Sequence, residues 1–411
     1  MNTPPVKAPL VKAFARGPLS DLRVIEMGTL LAGPFCGQLL GDLGAEVIKI
    51  EPPNQGDPLR MWGQEKADGK SLWWPVVARN KKAITLDMRQ AEGQALLKEL
   101  VAKADFLLEN FRPGTLEKWG CGYDELAKIN PRLIMIRVSG YGQTGPYSSR
   151  AGFGAIGEAM GGLRHVVGDP TTPPSRVGIS IGDSLAATFA CIGALSALHY
   201  REQTGRGQVV DSAIYEAVLN MMESLITEFD KTGYIRERTG AILPHVAPSN
   251  VYPTSDGSMV LIAGNQDTVF GRLAQAMGRP ELAKDPEYAT HLARGRNQKK
   301  LDDLIGAWTR TQTPTDLLNL MNESGVPAGL IYRAPDMLKD PHFAAREAIV
   351  TVPHPDFGEL KMQNVAPKLS ETPGSIRSPS PALGQHNDEV YLELLGLEAR
   401  RYAALRSQKV I

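Results

Sequence analysis

Strand and helix patterns alternate from the first part of the chain onward. Leu22-Arg-Val-Ile-Glu-Met27 has the apolar composition of a buried strand, Pro34 to Leu43 has a helical pattern, and Ala45-Glu-Val-Ile-Lys-Ile-Glu51 is a second strand pattern. Two neighbouring strands joined through a helix run parallel. This stretch therefore predicts a βαβ unit, the repeating piece of a parallel sheet covered by helices.

The same alternation continues to residue 139. A third strand pattern, Asn80 to Asp87, leads into a helical pattern from Gln90 to Lys103. Two further apolar runs, Asp105 to Asn110 and Leu133 to Ser139, are predicted as buried strands. The predicted fold class is α/β.

The length of 411 residues exceeds what one compact core usually holds, so two domains are expected. A charged connection with two glycines, 230–240, indicates a boundary. We predict the N-terminal part of a large domain at 1–230 and a smaller α+β domain at 245–330. Residues 335–411 are predicted as a linker and a C-terminal part that returns to the large domain.

Individual elements are predicted in the second half as well. A long helix is expected over 208–232 and a final amphipathic helix over 387–406, with an extended proline-rich linker at 367–381. The smaller domain is expected to contain a strand at 258–263 and helices at 268–277, 298–311 and 314–324.

The composition argues against several classes of function. Lys and Arg number 45, as do Asp and Glu, so net charge does not favour nucleic acid or an anionic membrane. Cys36, Cys121 and Cys191 are far apart, as is typical of reduced thiols in a cytoplasmic protein. The seven histidines lack metal-ligand spacing, so no metal site is expected.

The apolar segments are too short to predict a membrane protein. No uncharged apolar run of about 18 residues occurs, and the start of the chain lacks the apolar core of a secretory signal. We expect a cytoplasmic protein without a membrane partner. Lys7, Lys12 and Arg16, with no acid before Gly17, leave open a basic tail or an organelle presequence.

Two glycine-rich stretches could suggest a nucleotide site. Gly28-Thr-Leu-Leu-Ala-Gly33 lacks the Lys-Ser/Thr of a phosphate-binding loop. Gly140-Tyr-Gly-Gln-Thr-Gly145 matches the dinucleotide spacing, but Pro146 and the polar residues after it do not begin a helix. Neither stretch supports nucleotide binding, and the second is interpreted as a loop near a site.

A single carboxylate stands out in Arg176-Val-Gly-Ile-Ser-Ile-Gly-Asp183, which precedes the apolar segment Leu185 to Tyr200. The pattern predicts a strand, a tight turn and a buried helix, with Asp183 or Ser184 as the N-cap. Gly182 leaves space for a group to approach the backbone, where the first helical amides could hold an oxyanion. Asp183 is either a reactive group or merely the cap of its helix.

Several short motifs are spread along nearly the whole chain. They are Leu31-Ala-Gly-Pro34, Leu43-Gly-Ala-Glu-Val-Ile-Lys-Ile-Glu51, Gly56-Asp57 with Arg60, Asn80-Lys81, Glu109-Asn-Phe-Arg-Pro-Gly114, Gly140-Tyr-Gly-Gln-Thr-Gly-Pro146, Gly182-Asp183, Thr204-Gly-Arg-Gly-Gln208 and Leu383-Gly-Gln-His386. In content and order these motifs resemble those of the family III CoA-transferases, which include formyl-CoA:oxalate and carnitine CoA-transferases.

The resemblance implies a fold and a mechanism. It implies a Rossmann-like large domain made of both termini, a small central domain and an interlocked homodimer. Asp183 falls at the family's nucleophilic aspartate. An aspartate is ionised at neutral pH, so it can attack an acyl-CoA thioester to form an aspartyl anhydride and later an aspartyl-CoA thioester. Coenzyme A is a substrate here, and no other cofactor is expected.

The resemblance also assigns CoA contacts by position. Each has an ordinary alternative, since the apolar residues could belong to the core and the cations to the solvated surface. The assigned residues are Leu31, Ala32, Leu86, Asp87, Met88, Arg89, Asn110, Phe111, Arg112 and Lys118.

Three positions depart from relatives. Lys118 stands where relatives have an arginine, Pro52 replaces an adenine-side arginine of the formyl-CoA enzyme, and Gly154 stands where many transferases have an acid. No stretch resembles the formyl-CoA enzyme's glycine-rich lid.

The stretch from Arg150 to His165 is similar to transferases that use succinyl-CoA as donor. Their acceptors are short dicarboxylic or related acids, such as malate, citramalate, itaconate or a sulfinate analogue of succinate. Such an acceptor has a second anion, which an arginine fork suits. Arg150 and Arg164 are therefore acceptor-binding candidates, with a surface or interface position as the alternative.

Two other functions remain open at this point. An α-methylacyl-CoA racemase shares the fold but uses a histidine and an aspartate, and racemases have Gly-His-Asp where this chain has Gly152-Phe-Gly154. A non-catalytic CoA-binding protein is the second alternative. An acyl-exchange assay would separate it from an enzyme.

Overall fold

The structure, a computed structural model, describes residues 17–411. The basic residues Lys7, Lys12 and Arg16 of the predicted tail or presequence lie outside this range.

The strands and helices are numbered in chain order. The strands are β1 (Arg23–Glu26), β2 (Glu46–Glu51), β3 (Lys66–Ala67), β4 (Lys70–Ser71), β5 (Lys81–Thr85), β6 (Phe106–Glu109), β7 (Ile134–Ser139), β8 (Val209–Ala213), β9 (Ser249–Pro253), β10 (Met259–Ala263), β11 (Ala328–Leu330), β12 (Ile349–His354) and β13 (Gly358–Gln363). The α-helices are α1 (Ala32–Asp42), α2 (Trp74–Val77), α3 (Ala91–Val101), α4 (Thr115–Lys118), α5 (Tyr123–Ile129), α6 (Gly154–Met160), α7 (Leu163–Val166), α8 (Ile181–Thr204), α9 (Ile214–Asn220), α10 (Leu225–Thr232), α11 (Asp267–Ala276), α12 (His291–Arg296), α13 (Gln298–Thr309), α14 (Pro314–Glu323), α15 (Ala334–Lys339), α16 (Pro341–Ala345) and α17 (Ala399–Ser407). Single turns of 3₁₀-helix occur at Pro58–Met61 and Pro280–Ala283, and a π-helix occurs at Glu389–Leu394.

A six-stranded sheet in the order β5-β2-β1-β6-β7-β8 is parallel throughout. Val24 of β1 pairs with Val47 on one side and Phe106 on the other, and all three are buried. Helices cover such a sheet because both of its faces are apolar. The predicted α/β class with a parallel sheet is confirmed.

The last part of the chain packs into the same core as the sheet. The Tyr391 hydroxyl donates to the Thr85 carbonyl (2.8 Å), and the Asp87 amide donates to the Val410 carbonyl (2.7 Å). Tyr391 and Val410 are fully buried in one apolar cluster with residues of β1, β2 and α3. The C-terminal residues are therefore part of the core around the sheet.

The chain divides into two compact units. Among the described residues, the first contains 17–163, 178–224 and 344–411, and the second contains 164–177 and 225–343. Residues 164–177, inside the segment 1–230 predicted for the large domain, group with the second unit. That unit has an antiparallel sheet in the order β11-β10-β9 with its own apolar core, an α+β arrangement.

Two element predictions were wrong. Residues 208–232 do not form one helix, because Val209 and Val210 extend as β8 beside β7, followed by the separate helices α9 and α10. The final helix is also interrupted. A π-helix ends at Leu394, Gly396 takes a left-handed φ of 71°, and α17 begins at Ala399.

Candidate active site

Asp183 lies in the first turn of α8, a helix of 24 residues. The predicted N-cap was wrong by a few positions, because Ser180 precedes the first helical residue and Asp183 is already helical. The predicted strand before it is absent, and residues 173–178 are irregular. A carboxylate in the first turn interacts favourably with the partial positive charge of the helix N-terminus.

Small residues form the buried face of helix α8. Ala186, Ala187, Ala190, Ala194 and Ala197 are all buried. The helix packs against α1, α9, β7 and β8. By length and composition alone α8 is apolar enough to cross a membrane, which the sequence analysis did not anticipate; a single such helix is weak evidence, because core helices of soluble proteins share this composition.

Asp183 lines a cavity of about 410 Å³. The other walls come from loops that follow the carboxyl ends of parallel strands, the usual place for a site in an open α/β sheet. These loops are 29–32 after β1, 110–113 after β6, and 139–140 and 148–154 after β7.

Gly154 lies directly against the Asp183 carboxylate. A Cβ atom at position 154 would be 2.3 Å from Asp183 Oδ2 and 2.8 Å from Cγ, far inside van der Waals contact. Any side chain at position 154 would therefore displace the carboxylate. In this structure the Asp183 carboxylate fills the space that a side chain at position 154 would occupy.

Glu158 is a second buried carboxylate near Asp183. Its side chain is 1% exposed on α6, and Oε1 accepts a hydrogen bond from the Gly182 amide (3.4 Å). The sequence analysis missed it. The available signal was an acid on the buried side of a short glycine-rich helix.

The loop from Gly140 to Gly145 begins at the cavity, which Gly140 lines. Gly140 lies against Gly152, where a Cβ would come within 2.9 Å of the Gly152 Cα. Asp211 Oδ2 accepts from the Gln143 amide (2.8 Å), and burial raises the pKa of Asp211. No helix follows this loop directly, so its dinucleotide-like spacing reflects close backbone packing.

The predicted CoA-binding residues fall into two adjoining cavities. Leu31, Ala32, Asn110, Phe111 and Arg112 line the cavity that contains Asp183. Leu86, Asp87, Met88 and Arg89 line a second cavity of about 240 Å³. Thr29 and Phe111 line both cavities, so the two are neighbours. Lys118 is exposed on α4 and lines neither.

Arg89 is the cation among the described residues that line the second cavity. Arg89 is 79% exposed in its side chain and pairs with Asp87 (2.9 Å). This hydrogen bond lowers the pKa of Asp87 to about 2. Exposed ion pairs of this kind contribute little to stability, so Arg89 can exchange partners readily.

The two predicted acceptor arginines lie in different places. Arg150 lines the Asp183 cavity, and its guanidinium carbon is 3.6 Å from the ring centroid of Tyr147, a cation–π contact. Arg164 lies on α7 in the second unit and does not line this cavity. Trp62, Ser148 and Phe153 line the cavity as well, and sequence reasoning did not assign them a role.

Within residues 17–411, no group of three or more His, Cys, Asp or Glu side chains could hold a metal ion. Among the described residues that line the Asp183 cavity there is no histidine.

Cavities at the carboxyl edge of an open parallel α/β sheet are the usual ligand-binding sites of this fold class. The sequence profile of CoA-transferase family III matches residues 19–387. The chain belongs to this family and is a CoA-transferase.

Individual relatives match over almost the whole chain. A succinyl-CoA:D-citramalate CoA-transferase of Chloroflexus aurantiacus is 63% identical, over 96% of this chain and 98% of the relative. The β subunit of a succinyl-CoA:L-malate CoA-transferase from the same organism is 44% identical, with coverage of 96% and 98%. A CAIB/BAIF family protein from Brucella suis is 35% identical, with a TM-score of 0.83 and coverage of 92% and 100%.

Proposed function

We propose that this enzyme transfers CoA from succinyl-CoA to a short dicarboxylic acid and that Asp183 is its nucleophile. The observation that carries the proposal is the Asp183 carboxylate on the wall of a cavity that shares Thr29 and Phe111 with a second cavity at the carboxyl edge of the sheet. The substrate class is supported by the 63% identical relative, which is named for succinyl-CoA and D-citramalate.

The first half of the reaction releases the donor acid. The Asp183 carboxylate attacks the thioester carbonyl of succinyl-CoA, forming a mixed anhydride and expelling CoA as a thiolate. The thiolate then attacks the Asp183 carbonyl of the anhydride, which gives an aspartyl-CoA thioester and free succinate. The partial positive charge at the start of α8 favours the oxyanions formed at these steps.

The second half repeats these steps with the acceptor. The acceptor carboxylate attacks the aspartyl-CoA thioester to form a second anhydride and CoA thiolate. The thiolate attacks the acceptor's carbonyl, which releases the new acyl-CoA and regenerates the Asp183 carboxylate. Both anhydrides react with water, so the cavity has to exclude it while they exist.

The two cavities suggest how CoA is held during these steps. We assign the adenosine end to the cavity of Leu86, Asp87, Met88 and Arg89, and the thioester end to the cavity of Asp183. Phe111 lines both cavities, whereas Asn110 and Arg112 line the Asp183 cavity. Leu31 and Ala32 are assigned to the thioester end.

Arg150 is proposed to bind the second carboxylate of the acceptor. Replacing Arg150 with Gln is expected to raise KM for dicarboxylates by roughly 10-fold to 100-fold, because a hydrogen bond to a charged group contributes about 1.5–3 kcal/mol. Turnover with a monocarboxylate of equal length should change little. Initial rates with succinyl-CoA and a panel of paired acids, including D-citramalate, L-malate and a sulfinate analogue of succinate, measure this preference.

Arg164→Gln is the matched comparison, because Arg164 does not line the cavity. A wild-type preference for monocarboxylates would contradict the proposed acceptor class. An unchanged dicarboxylate preference in Arg150→Gln, as in Arg164→Gln, would remove Arg150 from the account while leaving Asp183 in place.

A racemase of the same fold is not favoured. Phe153 lies at the position of the racemase histidine, and it lines the cavity with an exposed side chain. Proton exchange at an α-carbon requires two acid–base groups, and phenylalanine supplies none.

We also propose that the enzyme is an interlocked homodimer. The first unit exposes large apolar side chains that a stable protein usually covers: Phe153 (68%), Ile156 (46%), Met160 (46%), Ile192 (54%) and Met221 (56%). Light scattering at micromolar concentration is expected to give twice the 44.6 kDa mass of the chain. Dilution should not dissociate it, since interlocked chains separate only on unfolding. A folded monomer at that concentration would contradict the proposal.

A further inference from the structure

Residues Gly28 to Leu31 belong to the loop between β1 and α1, and we call these four residues the cavity loop. Thr29, Leu30 and Leu31 line the Asp183 cavity directly. Their placement relative to Asp183 therefore sets the shape of the space in which a thioester would react.

Side chains from three other elements bind the backbone of this loop. Lys49 Nζ donates to the Gly28 carbonyl (2.7 Å), and Asp57 Oδ1 accepts from the Leu30 amide (3.0 Å). Asn110 binds both sides of Thr29, accepting from its amide (2.8 Å) and donating to its carbonyl (2.9 Å). The loop is thus fixed from β2, from the 3₁₀ turn at Pro58–Met61 and from the end of β6.

The loop needs such support because Leu30 has a left-handed backbone, with φ at 62°. A leucine avoids this region, since its Cβ is crowded by the backbone. Backbone of this kind persists when surrounding contacts hold it, and it occurs often at functional sites. The hydrogen bond from the Leu30 amide to Asp57 acts directly on the strained residue.

Lys49 and Asp57 form an ion pair (2.8 Å) in which both side chains are 1% exposed. Glu26 also contacts Lys49 (3.1 Å) and reaches Lys81 with its other oxygen (2.7 Å), so two cations face two carboxylates. Burial by itself lowers the pKa of Lys49, but the neighbouring carboxylates of Glu26, Asp57 and Glu51 raise it above its ordinary value. Lys49 is therefore charged, and it both donates to the Gly28 carbonyl of the cavity loop and pairs with Asp57.

We propose that Lys49 and Asp57 are positioning residues for catalysis, which hold the cavity loop in the conformation that acyl transfer at Asp183 requires. Neither touches the reacting atoms. Their effect passes through the Gly28 carbonyl and the Leu30 amide, and the pair's charge is balanced by Glu26 and Lys81. The inference rests on the proposed role of Asp183.

Lys49→Met and Asp57→Asn test the proposal. At saturating succinyl-CoA we expect Lys49→Met to lower kcat by roughly 10-fold to 100-fold, since small displacements of groups around a reacting centre have effects of this size. The rate of hydroxylamine labelling at Asp183 should fall by the same factor. Asp57→Asn keeps an acceptor for the Leu30 amide and removes only the charge, so kcat should fall by a smaller factor than in Lys49→Met. CoA binding measured by calorimetry should change less than kcat, because Thr29 is the one residue of the cavity loop that also lines the second cavity.

Asp42→Asn is the matched control. Asp42 forms another buried ion pair in the same unit, with Arg79 (2.6 Å), and makes no contact with the cavity loop. Asp42→Asn should lower the melting temperature while leaving kcat and the labelling rate within about twofold of wild type. A twofold change in rate corresponds to only a small change in the activation free energy.

The outcomes separate the two proposals. If Lys49→Met and Asp57→Asn behaved as Asp42→Asn does, losing stability with kcat and labelling retained, the positioning role would be overturned. Asp57→Asn decides the matter if Lys49→Met does not fold. If wild-type enzyme were not labelled at Asp183, the proposed function would fail, while the kcat comparison would still test whether the pair positions the loop.

Discussion

Replacing Asp183 with asparagine is expected to lower kcat for CoA transfer by roughly 10³-fold or more, in line with the removal of a nucleophile from other enzymes. An amide cannot attack the thioester to form the anhydride. The side chain keeps nearly the same size, so the Gly154 contact and the first turn of α8 should be preserved. Steady-state rates with succinyl-CoA and D-citramalate, together with the melting temperature, measure the two expectations.

Glu125→Gln is the control for this substitution. Glu125 is an exposed carboxylate of α5 that pairs with Lys128, so its loss should leave both kcat and melting temperature near wild type. Turnover by Asp183→Asn within tenfold of wild type would show that the carboxylate is not the nucleophile.

Gly154→Ala is expected to lower kcat by about 10²-fold, the effect that a misplacement of about 1 Å can have on a reacting group. The added Cβ would be 2.3 Å from Asp183 Oδ2 and would force the carboxylate out of its position. The displaced group is the end of a side chain, so the fold should tolerate the change. Far-UV circular dichroism and the melting temperature should therefore change little while kcat falls.

Gly178→Ala provides the matched comparison. A Cβ at position 178 meets no atom within 4 Å and the backbone is not left-handed, so rates should stay near those of wild type. Equal rates for Gly154→Ala and Gly178→Ala would mean that the Asp183 carboxylate reacts from a different position.

The strand-to-helix alternation predicted most strands of the six-stranded sheet, because most of them are short apolar runs followed by a clear helix or turn. The same reasoning failed at 208–232, where Val209 and Val210 fit both a helical stripe and an edge strand, and pairing with β7 decided between them. It also failed before Asp183. The run 176–182 has strand-like composition, but it does not join the sheet.

The sequence identified some residues of the candidate site and missed others. Asp183 could be singled out because it is the first carboxylate of a long apolar helix. Glu158 and the Lys49–Asp57 pair could not, because their importance depends on which backbone groups they contact after folding. The sequence gives no reason to prefer Arg150 over Arg164 as an acceptor-binding residue, and only the fold places Arg150 on the cavity wall.

Trapping the covalent intermediate tests the central claim most directly. The enzyme is incubated with succinyl-CoA and then with hydroxylamine, which converts an aspartyl anhydride or thioester to a hydroxamate, and peptides are mapped by mass spectrometry. We predict the hydroxamate at Asp183, dependent on succinyl-CoA and missing from Asp183→Asn. An unmodified Asp183 in turning-over enzyme, or a label on another residue, would contradict the claim that Asp183 is the nucleophile.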